Sequence, residues 1–101
     1  MKKVEVQKEL LKNKNIMAKF SDYVSGNLYY TVELSKGTFR FPISTIQNGK
    51  ESGIICQNEK CVYITLSNEL GTTSFYPEMK GSELNRWIGK AIDSEEFIKI
   101  N

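Results

Sequence analysis

Apolar and polar residues alternate through much of the first half of the chain, which is the pattern of β-strands that bury one face. The segment 28–34 is rich in aromatic and β-branched residues and contains no breaker, so it predicts a strand. A turn at 35–37 and a second alternating segment, 38–43, complete a hairpin. One face of the second strand would carry Phe39, Phe41 and Ile43. Because Pro42 has no backbone N–H, we expect this strand to lie at an edge or to end there.

Other segments also favour extended structure. Residues 16–23 predict a strand before this hairpin, and residues 54–56 and 61–66 predict a second hairpin across the loop 57–60. Residues 71–75 form an extended segment that begins with glycine. The opening, residues 2–12, is compatible with a strand or with helical turns, because its apolar spacing is too short to separate the two.

The last third of the chain predicts a helix that buries one stripe. The stripe has helical spacing and consists of Leu84, Trp87, Ile88, Ala91 and Ile92. Pro77 suits a first helical turn, but Gly81 weakens that turn, so we place the helix start at Ser82, whose hydroxyl is a suitable N-cap. The solvent-facing side would carry Glu83, Arg86 and Lys90. The apolar residues of 97–100 predict a short terminal strand or a tail that packs on the core.

These elements predict the fold class and the number of domains. The fold is α+β: an antiparallel meander of about five strands with a C-terminal helix packed on one face. One domain would span residues 1–101, since this length can bury a core without metals or disulfides. The chain has no apolar run of membrane-spanning length and its first residues lack a signal-peptide stretch, so we expect a cytoplasmic protein without a membrane partner.

The composition argues against an enzyme. The sequence contains no histidine, which removes many general bases and metal ligands, and it has no nucleophile elbow and no phosphate-binding loop. Cys56 and Cys61 lack further ligands for a zinc site, so we expect no metal and no cofactor. The predicted hairpin sets these two cysteines opposite each other. Free thiols are expected in the cytosol, and a disulfide is the alternative.

Arginine is scarce in this chain, and that scarcity selects the candidate ligand-binding residues. Of 14 basic residues only Arg40 and Arg86 are arginine, the residue best suited to bidentate phosphate recognition. Arg40 lies between two phenylalanines, and Arg86 adjoins Trp87 with Lys90 one turn later. A cation beside an aromatic ring suits a nucleotide, because the ring stacks on the base and the cation contacts phosphate. The alternative is that each arginine is a surface residue or an ion-pair partner, and that Trp87 is a core anchor.

Two further groups complete the candidate list. Thr72 and Thr73 follow Gly71 and offer hydroxyl groups and backbone donors, although such a run is also an ordinary polar loop. The strand pair with Tyr29 and Tyr30 could stack the bases of a single-stranded nucleic acid. The net charge of only +2 makes nucleic acid a less favoured partner, and paired-strand aromatics commonly pack in the core.

Four short segments form a pattern along the chain. The first two are Gly26-Asn27-Leu28-Tyr29-Tyr30-Thr31-Val32 and Gly37-Thr38-Phe39-Arg40-Phe41-Pro42-Ile43. The others are Leu70-Gly71-Thr72-Thr73-Ser74-Phe75 and Arg86-Trp87-Ile88-Gly89-Lys90. In this order they resemble parts of small phage-encoded proteins. The chain departs from that pattern in its extra cysteine hairpin and in Gly89, where a second basic residue is expected.

The resemblance implies a role in countering bacterial defence. Some small phage proteins of similar build are homo-oligomeric sponges that sequester cyclic nucleotide signals of systems such as CBASS and Thoeris. It implies phosphate contacts for Arg40, Arg86 and Lys90, and base stacking for Tyr29, Tyr30 or Phe75. Such sites would lie between protomers, because one small domain offers little concave surface.

Three hypotheses follow for the function. The first is a non-catalytic phage or prophage protein that binds and sequesters a small nucleotide signal, acting as a homo-oligomer in the host cytoplasm. The second is a protein–protein inhibitor that docks on a host defence enzyme through a strand edge or the helix. The third is a sheet that binds single-stranded nucleic acid.

Overall fold

A computed structural model describes residues 2–24, 27–44, 51–57, 60–69 and 71–101, and these form two helices and eight strands. In chain order the elements are α1 (Lys3–Lys12), β1 (Met17–Val24), β2 (Asn27–Leu34), β3 (Gly37–Ser44), β4 (Glu51–Gln57), β5 (Lys60–Asn68), β6 (Gly71–Phe75), β7 (Glu78–Lys80), α2 (Gly81–Asp93) and β8 (Ile98–Lys99).

The strands form two antiparallel sheets. The larger has the order β7-β1-β2-β3-β8, and α2 packs on it, which confirms the predicted α+β class. The smaller has the order β4-β5-β6 and contains the second predicted hairpin. Cys56 and Cys61 pair in the register of β4 with β5, as expected, while their side chains lie outside the described part of the structure. Ile64 of β5 is fully buried in the main core cluster, so both sheets contribute to one core.

The β2–β3 hairpin sorts its side chains onto two faces. Leu28, Tyr30 and Val32 alternate as buried residues along β2, and Phe41 and Ile43 meet them from β3. This is the pattern that alternation predicted.

Pro42 lies within β3, which continues to Ser44. Thr38 exchanges backbone hydrogen bonds with the C-terminal segment, and residues two apart direct their backbone groups the same way. The nitrogen of Pro42 therefore points away from β2. Within the described residues, β8 pairs only with Phe39 and Arg40, so Pro42 occupies an unpaired part of the edge, as its missing donor requires.

Two helices cover the inner face of the larger sheet. Residues 3–12 are helical, which resolves the ambiguity of the opening, although Val6 is the only residue of α1 that is fully buried among those described. The helices run side by side, with Lys3 bonded to Asp93 at 2.9 Å and Gln7 to Asn85 at 3.2 Å. In α2 the predicted stripe is buried at Leu84, Ile88 and Ala91, and Trp87 and Ile92 are partly buried beside it.

The predicted start of α2 was wrong. The helix begins at Gly81 and its N-cap is Lys80, without a side-chain cap, so Ser82 lies inside the first turn. Pro77 precedes β7 rather than opening the helix, and its carbonyl accepts a 2.7 Å hydrogen bond from the Phe20 backbone N–H. Gly81 has a φ of +67°, a conformation that glycine adopts at little cost, and this allows β7 to turn directly into the helix.

The chain ends as a short strand on β3, which the apolar pattern of 97–100 predicted. Phe97 stacks on Phe39 with ring centroids 4.6 Å apart. Ile100 donates a backbone hydrogen bond to Thr38, and Thr38 donates one to Asn101. Gly37 makes this close approach possible, because a Cβ at that position would collide with the carbonyl oxygen of Asn101.

We expect Gly37→Ala to destabilise the protein more than Gly71→Ala does. Both glycines have φ near +140° (+138° and +143°), so both substitutions strain the backbone, by about 1–3 kcal/mol each. Only position 37 adds the collision with Asn101, since a Cβ at Gly71 meets nothing within 4 Å. Urea unfolding measures both losses. Equal losses would contradict the docking of the C-terminal segment on β3.

Candidate functional site

The outer face of the larger sheet carries Tyr29 and Arg40. Their neighbours along the strands, such as Tyr30 and Phe41, point into the core, so these two side chains point the opposite way. Tyr29 pairs with Pro42, and Arg40 lies two residues from Pro42 on the same strand. Tyr29 and Arg40 are therefore diagonal cross-strand neighbours, a separation that long and aromatic side chains can bridge.

Arg40 stacks on the ring of Tyr29. The guanidinium carbon lies 3.8 Å from the ring centroid, well inside the range of a cation–π contact. The Nε atom of Arg40 is buried and has no hydrogen-bond partner in the described part of the chain. Among the described residues Arg40 makes no ion pair, and its cation–π contact is with the ring of Tyr29. Because Arg40 lines a groove, it is the accessible nitrogens of its guanidinium, not the buried Nε, that can donate to a hydrogen-bond acceptor of a ligand.

The stack forms one wall of a groove of about 300 Å³, which we name the Tyr29–Arg40 groove. Its lining consists of Tyr29, Arg40, Pro42, Glu95, Glu96, Ile98 and Ile100. Ile98 and Ile100 are 54% and 52% exposed, so the groove offers apolar surface to a ligand.

The Tyr29–Arg40 groove mixes one cation with two carboxylates. Arg40 carries one positive charge, and Glu95 and Glu96 carry one negative charge each, which gives the lining a net charge of −1 at neutral pH. That balance disfavours a phosphate inside the groove. It suits a neutral planar group that offers acceptors to Arg40 and donors to the carboxylates.

A second cluster lies on α2. The ring centroid of Trp87 is 4.8 Å from the Lys90 nitrogen and 5.4 Å from the guanidinium carbon of Arg86, so both predicted cations flank one indole. Arg86 and Lys90 are exposed, whereas the Nε1 of Trp87 is buried and has no hydrogen-bond partner among the residues that the structure describes. Neither Arg86 nor Lys90 lines the Tyr29–Arg40 groove, although Glu95 and Glu96 of its lining follow α2 directly.

Tyr30 is a core residue. Its side chain is 0% exposed, and its hydroxyl donates a 2.8 Å hydrogen bond to the carbonyl of Tyr76. The ring packs against Phe20 and Phe41. It therefore offers no accessible face on which a base could stack, contrary to the expectation from the sequence.

The predicted residues of β6 lie apart from both clusters. Thr72 is exposed and its hydroxyl lies 3.1 Å from that of Ser67. Phe75 packs partly against the core. Thr73 is a strand residue whose side chain lies outside the described part. Of the predicted residues whose side chains are described, the structure brings only Tyr29 and Arg40 together in a groove, and it groups Arg86 with Lys90 on α2.

Sequence reasoning missed the rest of the groove. Glu96, Ile98 and Ile100 share the period of two in the terminal segment, which could have assigned them to one face. No pattern indicated that this face would meet Arg40, because that depends on the pairing of Arg40 with Ile98. Glu95 had no signal in the sequence.

The described part of the chain has two other concave surfaces. One, of about 280 Å³, lies where the end of α1 meets the start of α2, and its apolar lining includes Leu10 and Leu84. The other, of about 400 Å³, lies beside Tyr76 and Pro77. Neither is lined by any of the predicted ligand-binding residues, so volume alone does not identify the site.

The described residues give no indication of a metal site or a membrane-spanning helix, and the comparisons with known proteins do not indicate a function. Within the described residues, no group of three or more potential ligands from His, Cys, Asp and Glu could hold a metal ion. Neither described helix has the length and apolar content to cross a membrane. Comparisons with protein-family models, with curated proteins and with solved structures find no significant match. The function must therefore be argued from the groove itself.

We expect Tyr29 and Arg40 to be energetically coupled. In a double-mutant cycle with Tyr29→Leu and Arg40→Met, the coupling energy should be about 0.5–1 kcal/mol, the usual strength of an exposed cation–π contact. Urea unfolding of the four proteins measures it. Strictly additive losses would mean that the stack does not form in solution.

Proposed function

We propose that this chain is a non-catalytic binding protein that sequesters a small nucleotide, with the base held in the Tyr29–Arg40 groove. The observation that supports this most directly is the stack of Arg40 on Tyr29, with a guanidinium that has no ion-pair partner among the described residues. The apolar surfaces of Pro42 and Ile98 complete a lining suited to a flat ring.

The charge of the groove favours the base over the phosphate as its occupant. Arg40 can donate to ring nitrogen or carbonyl acceptors, and Glu95 and Glu96 can accept from ring or amino N–H groups. A phosphate in the same place would meet two carboxylates, a repulsion that one guanidinium does not offset. This revises the sequence-based role of Arg40 from a phosphate contact to a base contact.

Phosphates would then require cations from outside the groove. Arg86 and Lys90 are exposed cations without ion-pair partners among the described residues. Neither cation lines the groove of its own protomer. A homo-oligomer in which α2 of one copy faces the groove of the next would join the two clusters in one site.

The resemblance to small phage-encoded proteins supports a biological role for nucleotide binding. That role is the removal of a cyclic nucleotide signal of bacterial defence in the host cytoplasm. Binding of single-stranded nucleic acid is less favoured, because it needs several exposed rings on which bases can stack. Among the described residues of the strand pair, Tyr30, Phe39 and Phe41 are buried, and Arg40 covers one face of Tyr29.

A protein inhibitor of a host defence enzyme is the second candidate, and one observation favours it. Strand β7 pairs with β1 only at Met17–Lys19. Beyond that point the outer edge of β1 has no strand partner among the described residues, and Tyr23 and Val24 are 38% and 42% exposed. Such an edge can accept a strand from another protein.

We expect calorimetric titration with a panel of cyclic di- and trinucleotides, mononucleotides and ADP-ribose derivatives to detect binding. Arg40→Met should weaken the affinity about tenfold or more, because it removes a charged hydrogen-bond donor. Lys8→Met, on the exposed face of α1, makes the same change of charge away from the groove and should leave the affinity unchanged.

Two results would contradict the sequestration proposal. One is the absence of heat with every nucleotide of the panel. The other is an equal loss of affinity in Arg40→Met and Lys8→Met, which would indicate unspecific attraction by positive charge. Capture of a stoichiometric host protein together with no nucleotide binding would support the inhibitor instead.

We expect the double variant Arg86→Met/Lys90→Met to weaken binding of a nucleotide but not of the matching nucleoside, which has no phosphate for these cations to contact. Native mass spectrometry should show more than one copy of the chain in the complex. A monomeric complex whose nucleotide affinity is insensitive to the double variant would exclude a shared site.

A further inference from the structure

The end of α2 adopts a Schellman motif, with Glu95 at the position where glycine is usual. The backbone N–H of Glu96 donates to Ala91 at 2.7 Å, and that of Glu95 donates to Ile92 at 3.1 Å. Glu95 has a φ of +58° and is the only described non-glycine residue with positive φ. Glycine would adopt this conformation without steric cost. The turn by itself would therefore be more stable with glycine than with Glu95 at this position.

The charge of Glu95 is also unfavourable at this end of the helix. A helix C-terminus carries partial negative charge, so carboxylates nearby are disfavoured. Asp93 in the same region is compensated by Lys3 at 2.9 Å. Among the described residues, Glu95 and Glu96 have no ion-pair partner, although Arg40 lines the same groove. Their carboxylate oxygens are therefore available as acceptors.

Arg40 supplies the hydrogen-bond donors of the groove. Its guanidinium stacks on Tyr29 and can donate, and the carboxylates of Glu95 and Glu96 can accept. A base that complements both groups needs acceptor atoms on one edge and adjacent N–H donors beside them. Guanine has this arrangement, with O6 and N7 as acceptors and N1–H and the N2 amino group as donors. Adenine instead presents N1 as an acceptor, which a carboxylate repels.

We propose that Glu95 is the specificity-determining residue of the groove and that the groove selects guanine bases over adenine bases. This rests on the nucleotide-binding function proposed above. The carboxylate of Glu95 accepts from N1–H and the N2 amino group, while Arg40 donates to the acceptor edge. The role explains why a strained and electrostatically disfavoured residue occupies a turn that glycine would make more easily.

Calorimetry with GMP, IMP and AMP tests the selection. Wild-type protein should bind GMP about tenfold or more tightly than AMP, as expected for a bidentate base contact, with IMP between them because it lacks the N2 amino group. Glu95→Gln should remove most of this preference. Glu83→Gln makes the same change at an exposed residue of α2 outside the groove lining and should retain the preference.

Thermal unfolding without nucleotide tests the cost of Glu95 independently. Glu95→Gly should raise Tm by a few degrees, because glycine relieves the positive φ and the substitution removes a charge from the helix end. It should also abolish the preference for GMP. Glu96→Gly removes a charge at a residue without positive φ, and it should give no comparable rise.

The outcomes separate this inference from the binding function on which it rests. A wild-type preference for GMP that is lost in Glu95→Gln supports it. Equal affinity for GMP and AMP, or a preference that persists in Glu95→Gln, overturns the role of Glu95 while leaving nucleotide binding in place. No binding of any of the three, together with no binding in the wider panel, removes both.

Discussion

The in-register pairing of β2 with β3 is the constraint on which the rest of the structure depends. The side-chain period of a strand is two, so this pairing directs Tyr30 and Phe41 into the core and Tyr29 and Arg40 to the outer face. A slip of one residue would exchange the two sets. The hydrophobic burial that stabilises the sheet therefore also fixes where the guanidinium lies.

The same hairpin organises both sides of the molecule. On the inner side, α1 and α2 lie next to each other, and Ile88 and Leu84 pack in one cluster with the inner residues of the sheet. On the outer side, the terminal segment pairs with β3 and adds its isoleucines to the groove. Phe97 joins the two sides, because its ring stacks on Phe39 while the next residue pairs with Arg40. Packing in the core thus positions the wall of the groove.

The sequence predicted the parts of this fold that repeat a period and missed those set by distant contacts. The β2–β3 hairpin and the stripe of α2 were predicted because each buries a periodic set of residues. The helical state of α1 was not, since Val6 alone is fully buried there and the pattern is weak. The start of α2 was misplaced because the conformational freedom of Gly81, rather than a side-chain cap from Ser82, makes the turn. For the site, composition drew attention to Arg40, while Glu95 is brought to it by a helix end that no local pattern specifies.

The arrangement also bears on how a small chain could achieve selectivity without a deep cavity. An open groove excludes little water, so apolar contact alone would discriminate poorly among flat ligands. Fixed polar groups discriminate better, because a wrong ligand leaves them desolvated and unpaired. Here the donor is held by the ring of Tyr29, and one acceptor is held by a hydrogen-bonded helix end. The strand pairing of β3 and the hydrogen bonds of the helix end fix the backbone that carries Arg40 and Glu95. This fixed placement makes the backbone cost at Glu95 consistent with a role in recognition.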